Sequence, residues 1–336
     1  MEQSEQYASA TFNTTENIVE IGKHPIDRDA AILPTKPLEE LVYELREWLD
    51  SRITGGIVWG HQRMGKNQAI RYLLANGEEL LGCPIPMGLF SAWDPEYTSL
   101  TENRFFGELL SALDYAAPRT GTAATKRKRI IDLIKDRVAI SGDYRFMLFI
   151  DEAQWLANVQ LRYFMDLHNL LKILDITLIC VLVGQPELMR IRAELRNTKQ
   201  AHLLGRFMSA SHQFKGICSE DELRRITYNF DEETEYPSNS GISYTQHYVP
   251  LAYSNGWRLE SAAPVIWKQL DRVLEDENLP SCSELPMAAS MALIVWLLHQ
   301  LSGIDSPELV LDPIFVEEGI IRRSLLAIKD HLELIA

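Results

Sequence analysis

Gly60-His61-Gln62-Arg63-Met64-Gly65-Lys66-Asn67 is the stretch that decides how this chain is read. It fits the pattern G-x-x-x-x-G-K, with Asn67 where Ser or Thr usually stands. An apolar run, Ile53-Thr54-Gly55-Gly56-Ile57-Val58-Trp59, precedes it and reads as a short strand. Residues 66–76 resume helical spacing after it. Glycines let backbone N–H groups turn inward around phosphate oxygens, and the following helix N-terminus adds partial positive charge. Gly60, His61, Gln62, Arg63, Met64, Gly65, Lys66, Asn67 and Gln68 are therefore the candidate nucleotide-binding residues, with Lys66 reaching the β- and γ-phosphates. The missing hydroxyl matters because it normally ligates Mg²⁺. A carboxamide oxygen also ligates Mg²⁺ but is longer and bulkier, so binding is expected to survive and hydrolysis to be slow.

The second informative stretch is Arg145-Phe146-Met147-Leu148-Phe149-Ile150-Asp151-Glu152-Ala153-Gln154. It is a continuous apolar strand ending in two carboxylates. Behind a phosphate loop, the first carboxylate holds the metal and the second polarises an attacking water. Asp151 and Asn67 are thus the candidate Mg²⁺ ligands and Glu152 the candidate base. Helix-capping acids at a strand-to-helix turn would account for either carboxylate alone, but less readily for both.

Further strands are expected at 85–90 and 176–183, and helices at 37–50, 102–115, 125–141, 160–174 and 187–200. Alternation of this kind implies a parallel sheet covered by helices on both faces. Continuous rather than alternating apolar strands fit burial on both sides. Beyond about residue 217 only helices are expected, at 219–229, 244–254, 258–275, 286–301 and 314–334.

The bulk properties limit the partners. The 336 residues are 46% hydrophobic and 24% charged, which is enough for a full core. A net charge of −14 argues against a generally basic nucleic-acid coat, though binding follows the local field. Against that background Thr125-Lys126-Arg127-Lys128-Arg129 stands out, with Arg119, Lys135 and Arg137 close by. Arg119, Lys126, Arg127, Lys128 and Arg129 are candidate contacts to a nucleic-acid backbone. A solvated helix face is the plainer reading of the same run. The four cysteines show no metal spacing, and Cys180 lies in an apolar run that reads as core. Residues 1–20 are polar and acidic without an apolar leader segment, and are expected to be mobile or wrapped on a partner. The longest apolar stretch, residues 287–298, is too short to span a bilayer, so no membrane association is expected.

Four blocks in order, GHQRMGKN, LFIDEAQWL, LICVLVGQPEL and SNGWRLESA, carry a resemblance to AAA+ ATPases of the TnsC/TniB branch, regulators of DNA transposition, and to the related ExeA/GspA ATPases. The first two are shared by many phosphate-loop proteins; VGQPEL is more particular to this branch. The resemblance covers roughly residues 40–275. It implies an α/β phosphate-loop AAA+ fold, a parallel sheet sandwiched by helices, followed by a helical lid and C-terminal helices. The implied division is 1–36 as an N-terminal extension, 37–216 as the nucleotide-binding core, 217–278 as the lid and 279–336 as a C-terminal helical segment. It implies ATP and Mg²⁺ as cofactors and a bacterial cytoplasmic setting. Its partners would be copies of the chain in a ring or helical filament, double-stranded DNA held by its backbone in a central channel, a transposase and a target-selecting protein. By the same resemblance Gln185 matches a polar sensor facing the γ-phosphate. Arg206 matches an arginine finger reaching the neighbouring subunit's ATP, and Arg258 in Gly256-Trp257-Arg258 an arginine pointed from the lid at the nucleotide. A switch ATPase acting on a protein assembly without DNA, or a non-catalytic nucleotide-holding module, are the alternatives. The Lys126-Arg127-Lys128-Arg129 run favours DNA; Asn67 favours the non-catalytic reading, against which Glu152 and Arg206 speak.

Overall fold

The computed structural model describes residues 24–28, 33–93 and 101–335. The expectation for residues 1–20 lies outside the described residues. The α/β part runs α1 (Lys36–Asp50), β1 (Gly55–Trp59), α2 (Lys66–Leu81), β2 (Met87–Ser91), α3 (Glu102–Ala112), α4 (Ala123–Ser141), β3 (Arg145–Asp151), α5 (Asn158–Ile173), β4 (Thr177–Gly184), α6 (Glu187–Asn197), α7 (Ala201–Phe207) and β5 (Ala210–Gln213). The strands form one parallel sheet in the order β2-β3-β4-β1-β5.

The central strands are buried on both faces, as their unbroken apolar sequences require. Along β3, Phe146, Leu148 and Ile150 join the core under α3, α4 and α5, while Met147 and Phe149 join the core under α1 and α2. The period of two thus splits one apolar run between two cores. The sequence reading missed β5, because Ala210-Ser211-His212-Gln213 carries no apolar run. As an edge strand it is only partly buried, and backbone pairing with β1 holds it in place.

Helix limits follow local chemistry. Thr122 Oγ1 accepts the Thr125 N–H at 3.3 Å to start α4, and Gly142 at φ 77 ends it. The helix expected over 187–200 is α6; it ends at Asn197, and Lys199 at φ 56 turns the chain into a further helix, α7, that starts at Ala201.

The helical part runs α8 (Glu220–Glu232), α9 (Tyr244–Tyr248), α10 (Pro250–Ser254), α11 (Ala263–Asp276), α12 (Met287–Ser302), α13 (Pro313–Gly319), a wide π turn (Ile320–Ser324) and α14 (Leu325–Ile335). Pro250 divides the helix expected over 244–254, since it cannot donate into the preceding turn. The boundary expected at residue 278 is not a packing boundary. One core joins Leu223, Phe230, Ile266 and Leu270 from one side of it to Leu293, Leu297, Val316 and Ile328 from the other. The helices on both sides of residue 278 therefore share one core, to which Ile26 and Leu33 also belong. No helix among the described residues is long and apolar enough to cross a membrane.

Candidate nucleotide-binding site

Strand register brings the two sequence stretches together. Trp59 lies opposite Gly184, and Ile150 opposite Leu182, so Gly60, Asp151 and Gln185 leave the sheet at the same carboxyl edge. That edge is where parallel α/β sheets bind ligands. The Gly60 N–H donates to the Gly184 carbonyl at 3.2 Å, and the Phe214 N–H donates to the Trp59 carbonyl at 2.7 Å. Gly65 turns the loop into α2 at φ +100, a conformation that favours glycine.

Lys66 opens α2 and is 9% exposed. Its Nζ donates to the carbonyls of Gly60 at 2.8 Å and His61 at 2.6 Å. Burial lowers its pKa to about 8, against the pull of the Glu152 and Asp151 carboxylates. The loop is thus closed on its own lysine, which is held where a phosphate would compete for it.

Asp151 is buried at the end of β3 and accepts the Glu152 N–H at 2.9 Å. Desolvation raises its pKa, and the neighbouring Glu152 charge adds to the rise. Glu152 sits at φ 51, a left-handed conformation that costs a non-glycine residue about 1–3 kcal/mol and tends to mark functional sites. Gln154 Nε2 donates to Glu152 Oε2 at 2.5 Å. Gln154 Oε1 accepts the Gln185 N–H at 3.2 Å, and Gln62 Nε2 donates to Gln185 Oε1 at 3.1 Å. A hydrogen-bonded chain therefore runs from the candidate base through Gln154 and Gln185 to the phosphate loop. Gln154 had not been singled out in the sequence. Its signal was there, two residues past Glu152 in the same strand-to-helix turn, but its partners are decided by folding.

A cavity of about 990 Å³ opens over this edge. It is lined by residues 62–69, Glu152 and Gln185 together with aliphatic Ile26, Leu33, Leu38, Met291 and Val295. The size and the mixed polar and aliphatic lining suit a nucleotide, with phosphates on the loop and a base against aliphatic side chains. The segment around His24, unassigned in the sequence, supplies part of that lining. His24 is fully buried among the rings of Tyr236, Tyr244 and Tyr248, and burial depresses its pKa to about 4. Asp27, which lines the cavity, accepts from the Tyr248 hydroxyl at 3.1 Å and pairs with His299 Nε2 at 2.7 Å.

Magnesium has no cage of its own here. Among the described residues no group of three or more His, Cys, Asp or Glu side chains could hold a metal. The donor set still fits a metal bound partly through phosphate oxygens: Asp151 is a buried carboxylate beside the loop, and Asn67 lines the cavity.

Other expected positions lie elsewhere. Arg258 does not line the cavity. It stacks 3.7 Å over the Tyr253 ring, donates to the Tyr253 and Trp257 carbonyls at 2.9 Å and pairs with Glu232 at 3.3 Å. Arg206 also stays outside it, at the end of α7, with Nη1 2.5 Å from Asn169 Oδ1 and 3.3 Å from His168 Nδ1.

The basic run is largely consumed by the fold. Lys126 is 4% exposed and donates to the Asn103 carbonyl at 3.0 Å, so it is not a surface cation. Arg129 donates to the Thr120 carbonyl at 2.7 Å and lies over the Tyr115 ring, and Arg127 pairs with Glu102 at 3.7 Å. Arg119 and Lys128 remain exposed. The periodicity of the run could not show this, because Lys126 points inward one turn into α4.

Residues 43–191 match the family described as AAA domain, a span that holds the loop, β3 and β4. The Aeropyrum pernix ORC2 protein in its ADPNP–ADP complexes shares the fold, with a TM-score of 0.53 at 11% identity over 89% of this chain and 71% of that one. Its ADP form gives a TM-score of 0.51 at 13% identity over 84% of this chain and 67% of that one. At such identities the likeness is one of fold. No curated protein matches the chain by sequence.

Proposed function

We propose that this chain is an ATP-hydrolysing AAA+ switch that assembles with copies of itself on duplex DNA and regulates DNA transposition. The observation that carries the nucleotide reading is the convergence of Lys66, Asp151, Glu152 and Gln185 at one sheet edge beneath the cavity. The AAA domain match supports it, and so does a shared fold with a protein solved in complexes named for ADPNP and ADP.

In this reading Lys66 exchanges the Gly60 and His61 carbonyls for β- and γ-phosphate oxygens. Asp151 and Asn67 would hold Mg²⁺, which would supply positive charge against the phosphate oxygens. Glu152 takes a proton from a water as its oxygen attacks the γ-phosphorus and the bond to the bridging oxygen breaks. Gln154 aims Glu152, and Gln185 reports the γ-phosphate to it. Arg206 completes the site from a neighbouring copy, where its planar fork spreads over the developing charge.

The transposition and DNA parts rest on the four blocks shared with the TnsC/TniB branch and on the exposed Arg119 and Lys128. The consumption of Lys126, Arg127 and Arg129 by internal contacts favours a second reading, a switch ATPase that assembles on protein instead. Negative-stain imaging with duplex DNA and ATP, a non-hydrolysable analogue or ADP decides between them. Rings or filaments that need both DNA and triphosphate support the first reading. Triphosphate-dependent assemblies indifferent to DNA support the second, and particles indifferent to nucleotide overturn both.

A further inference from the structure

Besides Arg63 and Lys66 of the phosphate loop, a third basic side chain, Arg323, lines the cavity. Arg323 comes from the π turn between α13 and α14, far in sequence from every motif above. Wide turns of this kind are uncommon and recur at functional sites. The other cations of the cavity have partners: Lys66 is bonded to two carbonyls, and Arg63 pairs with Asp330 at 3.8 Å. Arg258, which the family resemblance assigns to reading the nucleotide, is spent on Glu232, two carbonyls and a tyrosine ring outside the cavity. Arg323 has no ion pair or side-chain hydrogen bond among the described residues, and it stays exposed to the cavity. In a protein of charge −14, Arg323 pairs with no acidic side chain among the described residues.

The element that carries it is docked on the phosphate loop. Met287, the first residue of α12, lies where a side-chain carbon at Gly65 would meet it at 3.4 Å, and the Ala288 N–H donates to the Arg63 carbonyl at 3.1 Å. On α14, His331 packs edge-on to His61 at 5.3 Å between ring centroids, next to the Arg63–Asp330 pair. Arg323 precedes Asp330 and His331 by seven and eight residues, about two helical turns, and so shares their side of the helix. The Ser324 hydroxyl, which donates to the Ala289 carbonyl at 2.7 Å, fixes this turn against α12.

We propose that Arg323 is a phosphate ligand of the bound nucleotide, supplied by the C-terminal helices in place of Arg258, and that this contact tightens the existing packing of α13 and α14 on the phosphate loop. The inference rests on the nucleotide-binding reading above. A guanidinium fork gives two charge-assisted hydrogen bonds to a phosphate, and no competing partner has to be broken first.

The test is calorimetric titration of the full chain with Mg-ATP and with adenosine, on wild type and the Arg323→Ala, Arg323→Lys, Arg258→Ala and Lys66→Ala variants. Arg323→Ala weakens ATP binding by roughly 10–100-fold, the range for losing hydrogen bonds to a charged group. Arg323→Lys restores part of the loss, and adenosine binds the variant as it binds wild type. Arg258→Ala lowers the melting temperature and leaves ATP affinity within about twofold, since its contacts lie within the lid. Hydrogen exchange gives a readout that a merely structural role would not move: ATP protects residues 313–335 in wild type and not in Arg323→Ala. Unchanged ATP affinity in Arg323→Ala overturns the inference, as does an equal loss for adenosine, or a loss that falls on Arg258→Ala instead. If wild type binds no ATP, or Lys66→Ala binds it as tightly as wild type, the nucleotide reading itself fails, and this inference with it.

Discussion

Gln154 holds Glu152 at 2.5 Å and at the same time accepts the backbone N–H of Gln185 at 3.2 Å. The candidate base and the candidate sensor therefore share one carboxamide. A change at either end of that carboxamide displaces the other. Glu152 sits in a left-handed conformation just past the end of β3, and the Gln154 carboxamide fixes its carboxylate.

Replacing Gln154 by Ala is expected to lower kcat for ATP by on the order of 10–100-fold, with little change in KM, because an interaction that only aims the base is lost. Glu152→Gln should lose more, by about 10²–10⁴, while still binding ATP. Steady-state kinetics of the two variants checks both. An unchanged kcat in Gln154→Ala would leave the hydrogen bond without a role in turnover.

Lys66 makes nucleotide affinity depend on pH. Its pKa stands at about 8 in the nucleotide-free protein, and a triphosphate would raise it, because it adds negative charge at the ammonium. Binding then takes up a proton, and affinity falls as pH rises through about 8. The same shift acts on folding with the opposite sign. Between pH 8 and 10.5 the unfolded chain binds more protons at this site, so the Lys66 contribution to stability grows with pH across that window. Calorimetry in two buffers of different ionisation enthalpy at pH 8 reads the proton uptake directly, and Lys66→Met should abolish it.

Asn67 is expected to slow hydrolysis. It lines the cavity beside Lys66 where a hydroxyl usually helps hold the metal. Asn67→Thr is expected to raise kcat several-fold and to leave ATP affinity within about twofold, since the loop N–H groups and Lys66 are untouched. A fall in kcat would show that the carboxamide is itself the better ligand here.

The basic run divides into structural and surface cations. Lys126→Glu should destabilise the fold by about 2–4 kcal/mol, because it buries a carboxylate against the Asn103 carbonyl that Lys126 now satisfies. Arg119→Glu with Lys128→Glu should leave the melting temperature unchanged. If the chain binds DNA through this face, the pair should lower the slope of log affinity against log salt by about 2. Thermal denaturation and binding at several salt concentrations separate the two classes.

Sequence alone determined the phosphate loop, the Asp151-Glu152 strand end and the parallel sheet. Each is encoded in contiguous residues, where local propensity and the apolar run fix the element before any packing is known. It did not reveal β5, because Ala210-Ser211-His212-Gln213 is a strand only by virtue of the edge of β1 beside it. Nor did it show that Lys126 is an internal hydrogen-bond donor and that Arg258 is held by Glu232 and Tyr253, since a charged side chain takes its role from its neighbours. The cavity itself was decided by tertiary structure. Its walls come from the segment around Ile26, from α1, from the phosphate loop and from α12 and Arg323, some three hundred residues apart along the chain. Sequence periodicity reports which face of a helix is apolar. It does not report which distant element that face will cover, because that is settled by the packing of the whole core.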